Sequence, residues 1–391
     1  MTTTEDRIAA AGAVGRVLRS GAWSNVVART EAAAHEADTS TVQGLVFAVL
    51  RHRPMIDGAL ENAASRPLRK IDKAVIDILR VGTAELMADR TPVPLVVDGV
   101  VHAVRRISPR AAGFANAVMR AIAADPPTVS TVADIGIPPF VDAALRHVLA
   151  GEQVDDLWTA SQRPAPVGLR SAGPIDGATP VDGIAGAWIW EDGAPPPGIP
   201  VQDPASVAVG NTMRAEPGNH VLDMAAAPGG KTRHLVERVG ATGLVVAMDS
   251  HPRRVRDAAR AGGEAQWVVG DGRTAPFAES SFDGVLVDAP CTGLGTLRRR
   301  PELRERVTPE SMASLAVVQR TILEEALRLV KPGGRVVYSV CTVTPAETID
   351  VVAGLGGVAP SGLPGVAYGD GWLLSPHLGP TDGMFIAVFD R

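Results

Sequence analysis

Cysteine is nearly absent from this 391-residue chain, which has only Cys291 and Cys341. Two thiols cannot build a disulfide framework and the usual zinc spacings are missing, so no stapled scaffold and no metal site are expected. Lysine is scarce as well: Lys70, Lys73, Lys231 and Lys331 are the lysines among 38 basic residues. Aromatic residues make up 4% of the chain, too few for extensive base-stacking platforms. No stretch reaches the ~18 uninterrupted apolar residues of a membrane span. The start, Met1-Thr2-Thr3-Thr4-Glu5-Asp6-Arg7, is polar and acidic, unlike a signal peptide. A cytoplasmic, reduced protein with no membrane partner is therefore expected.

Hydrophobic residues make up 46% of the chain, enough for real cores and, at this length, for two domains with a small connecting module. Net charge is −5, which does not announce a nucleic-acid binder. The charge divides unevenly, with residues 1–150 at net +2 and residues 151–391 at net −7.

Residues 5–124 read as successive amphipathic helices. Val14 and Val17 share one face with Ile8 and Leu18; Val42, Leu45, Val46, Val49 and Leu50 form a second; Ile71, Val75, Ile76, Leu79 and Leu86 form a third. A bundle of six or seven elements is expected. Residues 125–163 look like a further helical connection, and proline and glycine crowd Pro164–Pro200 as in a linker or minimal subdomain. The expected domains are 1–125, 126–200 and 201–391.

Beyond Val201 strands alternate with helices. His220–Asp223, Leu244–Asp249, Gln266–Val269, Phe282–Val287 and Arg335–Val340 read as strands, with a helix over Leu315–Leu329. Gly371–Leu374 and Met384–Phe389 close the chain as a hairpin. The series predicts an α/β fold, a doubly wound sheet with an antiparallel edge. Cys291 and Cys341 each lie just past a strand. Strand carboxyl ends face the ligand crevice of such a sheet, so thiols fifty residues apart can meet at one site; the alternative is two buried thiols.

Between the first strand and its helix lies Asp223-Met224-Ala225-Ala226-Ala227-Pro228-Gly229-Gly230-Lys231-Thr232. Small residues there let the backbone approach a ligand at a helix N-terminus. Gly230-Lys231-Thr232 hints at a nucleotide hydrolase, but Ala225 stands where a P-loop needs its first glycine. Asp249 ends the next strand, where a carboxylate can accept ribose hydroxyls, and Asp271 follows the third, where an adenine edge would lie.

Ala226–Thr232, Asp288-Ala289-Pro290-Cys291-Thr292-Gly293 and Tyr338-Ser339-Val340-Cys341-Thr342 together resemble the RNA (cytosine-5)-methyltransferases of the RsmB/Sun type. Val201–Ser206 and Arg298-Arg299-Arg300-Pro301-Glu302 are similar to that family as well. Leu79–Gly82 and Gly113–Arg120 resemble its NusB-like helical RNA-binding domain. The chain departs from the family in a shorter region before the catalytic domain, in lacking Lys-Trp after Glu302, and in having Pro345-Ala346-Glu347-Thr348 for Pro-Glu-Glu-Asn.

The resemblance implies a Rossmann-like class I methyltransferase sheet behind an all-α NusB-like domain, acting as a monomer on 16S ribosomal RNA with S-adenosylmethionine as cofactor. It places the cofactor against Ala225, Ala226, Ala227, Pro228, Gly229, Gly230, Lys231, Asp249, Arg254, Asp271 and Asp288. Carbon 5 of cytosine is a poor nucleophile, and a thiolate added to C6 turns the ring into an enamine that can take up a methyl group. By resemblance Cys341 is that nucleophile and Cys291 the helper that assists proton removal or release. Without the resemblance the Pro-Cys motif at Cys291 would suggest the reverse. Asp288 is expected to hold the cytosine N3/N4 edge, with a strand-end cap as its alternative, and Lys231 to orient Asp288 or the nucleotide. Arg298, Arg299 and Arg300, near Arg304 and Arg306, form the densest basic cluster and are expected to meet RNA phosphates. A competing class is a non-catalytic RNA-binding or assembly factor with a degenerate sheet domain.

Overall fold

The computed structural model describes residues 2–128, 132–261 and 264–391. It divides the chain into two compact units, residues 1–137 with 299–305, and residues 138–298 with 306–391.

The first unit is helical: α1 (Thr4–Ser20), α2 (Ser24–Ala34), α3 (Thr39–Ala64), α4 (Lys73–Met87), α5 (Val93–Ile107) and α6 (Ala112–Ala124). Local chemistry sets its boundaries. Thr3 and Asp6 cap the start of α1 reciprocally, and Gly21, at φ 63°, ends it. Asp72 accepts from the Ala74 and Val75 amides at the start of α4. Val14, Val46, Val49, Leu50, Leu79, Val100 and Met119 are buried in one core. At Gly82 a Cβ would stand 2.4 Å from Val100, so glycine is what lets α4 approach α5. Residues 299–305 join this unit although the chain reaches them from the sheet. The Ser24 amide and hydroxyl donate to Glu302 (3.2 and 2.8 Å), Arg304 donates to the Leu50 carbonyl (2.6 Å), and Arg53 pairs with Glu305 (2.7 Å).

The second unit opens with α7 (Pro139–Arg146), α8 (Gly151–Ala160) and a small antiparallel sheet of β1 (Val167–Arg170), β2 (Ala178–Pro180) and β3 (Ala187–Trp190), ordered β1-β3-β2. This is the stretch expected to be a connection and linker. From Pro138 it groups with the large sheet, and Val181, Ile184 and Ala187 bury into the same core as Val207, Val221, Leu286 and Ile386.

The rest alternates: α9 (Pro204–Thr212), β4 (His220–Asp223), α10 (Gly230–Val239), β5 (Leu244–Asp249), α11 (Pro252–Arg260), β6 (Gln266–Val269), β7 (Phe282–Asp288), α12 (Pro309–Leu329), β8 (Val330–Val340), α13 (Ile349–Val352), β9 (Val366–Tyr368), β10 (Gly371–Leu374) and β11 (Met384–Asp390). The sheet runs β6-β5-β4-β7-β8-β11-β10-β9, parallel through β8 and antiparallel beyond. Continuous apolar runs such as Val285-Leu286-Val287 are buried, as a strand covered on both faces requires. The hairpin of β10 and β11 is present, and β9 extends it. Helix α12 begins six residues before the expected Leu315, where Thr308 and Ser311 cap each other reciprocally.

The chain builds outward from β4 to β6 and then returns to β7. Strand order therefore reverses between β4 and β7, the position at which open α/β sheets bind ligands beyond the strand ends. The glycine-rich loop follows β4, Asp288 ends β7 with Cys291 just beyond it, and Cys341 follows β8. No described helix is long and apolar enough to cross a membrane.

Candidate active site

The two cysteines meet. Cys291 Sγ and Cys341 Sγ are 3.3 Å apart, and both residues are half-buried. Adjacent parallel strands bring them together, since Asp288 of β7 pairs with Ser339 of β8 and each cysteine follows within three residues. Beside them Lys231 Nζ donates to Asp288 Oδ2 (2.7 Å), and Ser339 Oγ donates to Oδ1 (2.9 Å). Of the expected catalytic residues, Lys231 and Asp288 thus form one ion pair next to the sulfur pair.

The electrostatics are asymmetric. The hydrogen bond to Cys341, together with burial and the charges of Cys341 and Glu347, pushes the Cys291 thiol well above its ordinary range. Burial alone would lower the Lys231 ammonium, but the Asp288 carboxylate, assisted by Cys341 and Asp223, outweighs it and raises the value. Cys291 thus holds its proton more tightly than an ordinary thiol, and the charge of Cys341 contributes to the raised Lys231 value.

The loop after β4 supplies a second feature. Asp223 is 1% exposed; its Oδ2 accepts from the Thr232 hydroxyl (2.7 Å), while its Oδ1 is buried without a hydrogen-bond partner. Burial raises this carboxyl from 3.8 to about 7. Gly229 adopts φ 101°, and a Cβ at Gly230 would point into open space. Ala225 and Gly229 are half-buried, Ala226 and Ala227 buried, and Pro228 and Gly230 exposed, so the loop presents backbone rather than bulk at the N-terminus of α10.

Asp249, at the end of β5, is 3% exposed and accepts from the His251 amide (3.0 Å). Arg254 spans from this carboxylate (3.3 Å) to the Ala227 carbonyl, and so ties the β5 end to the loop. Asp271 is placed differently. It caps its own turn, accepting from the Arg273 amide (2.9 Å), and the Arg273 guanidinium grips its exposed carboxylate and holds it below the usual range.

The structure separates the basic cluster. Arg298 is buried and donates to the Thr381 and Pro164 carbonyls (3.3 and 3.1 Å), so it is engaged within the fold. Arg304 is buried as well. Arg299 is half-buried, while Arg300 is exposed and lies 5.6 Å from the Trp23 ring centroid. A run of arginines in sequence becomes side chains pointing in several directions.

Residues beyond those expected complete the site. Ser339 is one. Glu347 is another: it is fully buried and accepts from both cysteine loops. Gln319 of α12 donates to Glu347 (3.1 Å) and to the Pro290 carbonyl (2.8 Å). Glu347 stands in a segment noted only for departing from the Pro-Glu-Glu-Asn pattern, and nothing in its spacing marks a buried carboxylate.

Comparison with known proteins gives the following. The model of a family described as 16S rRNA methyltransferase RsmB/F matches residues 211–356, and that of the NusB family matches residues 4–124. A ribosomal RNA small subunit methyltransferase B of Xylella fastidiosa is 31% identical, over 86% of this chain and 90% of its own length. A crystal structure of PH0851 aligns with 100% of this chain and 99% of its own at a TM-score of 0.79 and 21% identity. NSun6 from Pyrococcus horikoshii with SFG aligns with 65% of this chain and 98% of its own at a TM-score of 0.56 and 18% identity. These structures share the fold.

Proposed function

The chain belongs to the 16S rRNA methyltransferase RsmB/F family, and we propose that it forms 5-methylcytosine in small-subunit ribosomal RNA through covalent addition of Cys341 to cytosine C6. The observation that carries this reading is the pair of sulfurs 3.3 Å apart beside the Lys231–Asp288 ion pair.

Residues around the β4 loop fit S-adenosylmethionine. The unpartnered Asp223 Oδ1, the open space over Gly230 and the buried carboxylate of Asp249 provide acceptors and room for a cationic, ribose-bearing ligand. Ala225–Gly230 and Lys231 would line it with Arg254 in support, while Asp271 would need to leave Arg273 to take part. When bound, that cofactor supplies the electrophilic methyl group which activated cytosine takes up.

The chain's own residues do the rest. Cys341, whose charge interacts with the Lys231 ammonium, adds to C6 as a thiolate. Asp288, held by Lys231 and the Ser339 hydroxyl, presents a carboxylate to the cytosine N3/N4 edge and favours the protonated adduct. Once Cys341 is bonded to carbon it no longer accepts the Cys291 proton, which removes the largest cause of the raised Cys291 value. Cys291 then releases its proton to solvent and its thiolate removes the C5 proton, and the electrons of the C5–H bond re-form the C5–C6 double bond as the Cys341 sulfur leaves as a thiolate. The target base must leave its stack to reach thiols set between strand ends.

The order of events supplies the test. Cys341→Ala should give neither methylated product nor adduct. Cys291→Ala should add and methylate but stall, leaving a protein–RNA adduct that survives denaturing electrophoresis. A stable adduct with Cys341→Ala and none with Cys291→Ala reverses the roles. Wild-type turnover without 5-methylcytosine in bisulfite sequencing of the RNA rejects the reading.

A further inference from the structure

The Glu347 carboxylate sits where the two cysteine loops meet, and no step of the reaction above uses it. It is fully buried and receives five donors: the Thr292 amide (2.8 Å) and hydroxyl (2.5 Å), the Thr342 hydroxyl (3.3 Å), the Thr344 hydroxyl (2.9 Å) and the Gln319 amide (3.1 Å). Thr292 follows Cys291 directly and Thr342 follows Cys341 directly, and their hydroxyls also touch each other (3.0 Å). Gln319 extends the grip to the Pro290 carbonyl on the other side of Cys291 (2.8 Å). The Tyr338 hydroxyl, just before Cys341, donates to the Glu347 carbonyl (2.8 Å). Both cysteines are thus bracketed by residues that end on one side chain or its backbone.

We propose that Glu347 is a positioning residue that clasps the Cys291 and Cys341 loops and sets the distance between the two sulfurs. The inference rests on the two-thiol reading given above. The cysteine loops leave different strands, and beyond the strand ends backbone pairing no longer holds them in register. A carboxylate with two oxygens can accept from both loops at once, and burial makes each bond costly to leave unmade. Its charge also helps to keep the proton on Cys291. Glutamine is the informative replacement. Its carbonyl can take the Thr292 and Gln319 amides, and its NH2 can donate to the threonine hydroxyls, which turn to accept, so the clasp survives without the charge.

Because the chain has only two cysteines, dibromobimane, which fluoresces when it bridges two nearby thiols, reads their separation directly in the full-length protein. Wild type and Glu347→Gln should cross-link at similar rates, whereas Glu347→Ala should cross-link at least about tenfold more slowly and lose on the order of a hundredfold in kcat, as expected for a misplaced reacting group. Its KM for S-adenosylmethionine should stay put, and glutamine should recover most of the lost kcat. Wild-type cross-linking and kcat in a folded Glu347→Ala would overturn the proposal, as would a glutamine variant as defective as alanine. Should Glu347→Ala not fold, the double variant Thr292→Val/Thr342→Val serves: slower bridging is expected, and unchanged bridging would overturn the clasp. Cross-linking needs no methyl transfer, so failure of the clasp is distinguishable from failure of the cytosine-5 assignment.

Discussion

Asp223 should make the sheet unit less stable as pH rises, and Asp223→Asn should abolish that loss. Its carboxyl is 1% exposed with one oxygen unpartnered, and burial raises it from 3.8 to about 7. A carboxyl raised in the folded state favours folding in its protonated form, so its contribution is complete below about pH 4 and is lost as pH rises toward 7. At about 1.4 kcal/mol per unit, a rise of about three units amounts to roughly 4 kcal/mol in total, of which about 3 kcal/mol falls between pH 5 and 8. Asparagine keeps an acceptor for the Thr232 hydroxyl and does not ionise, so its curve lacks this slope. Urea unfolding at both pH values reads the difference, and titrations common to the two proteins cancel. Tryptophan fluorescence reports mainly on the sheet unit, because only Trp23 lies in the helical unit while Trp158, Trp188, Trp190, Trp267 and Trp372 lie with the sheet. Asp223→Asn should match or modestly exceed wild type at pH 5 and exceed it by about 3 kcal/mol more at pH 8. Parallel curves would refute the reasoning, since they would mean that the folded protein carries Asp223 ionised already at pH 5.

Asp249→Ala should weaken S-adenosylmethionine by about 1–3 kcal/mol in calorimetry, because a buried acceptor is lost; unchanged affinity removes Asp249 from the cofactor site. The arginines of the former cluster should separate by assay. Arg298→Ala strands the buried Thr381 carbonyl and should cost about 1–3 kcal/mol of stability, whereas the exposed Arg300→Ala should spare stability and weaken RNA binding chiefly at low salt. Equal effects of the two on RNA affinity with no change in melting would contradict the burial of Arg298.

Much of the sheet was legible because its strands are short apolar runs, buried at the centre of the sheet and bounded by turn residues. His220–Asp223, Leu244–Asp249 and Gln266–Val269 are continuous runs bounded by turn residues, and all three fall where expected. The crevice followed from them, since motifs just past parallel strands must gather at one edge. What escaped depends on direction or long-range pairing. Charge count marks Arg298–Arg300 but does not say that Arg298 turns inward to the Pro164 carbonyl. No local pattern assigns residues 299–305 to the helical unit, because Glu302 finds Ser24 across 278 positions. The Pro/Gly-rich stretch before Val201 looked coreless because its few apolar residues, Val181, Ile184 and Ala187, borrow a core from the large sheet.

The scarcity of lysine bears on how the site orders its protons. Asp223, Asp288, Cys291 and Cys341 crowd the ends of β4, β7 and β8, with Glu347 behind them, and the Lys231 ammonium is the positive charge that faces them. Among the described residues Lys231 is the ammonium in direct contact with these acids, and burial favours the protonated form of those without such a contact. The geometry decides which. Asp288 takes the direct contact with Lys231. Asp223 is the deepest and keeps its proton to near neutrality. The Cys291 thiol is raised chiefly by its hydrogen bond to Cys341 and by burial, with the Glu347 charge adding to it. The thiols are chemically identical, and what distinguishes Cys291 is its surroundings, chiefly the hydrogen bond to Cys341 and burial. An arrangement of that kind gives an order of events, with Cys341 acting first and Cys291 only after its partner has been consumed.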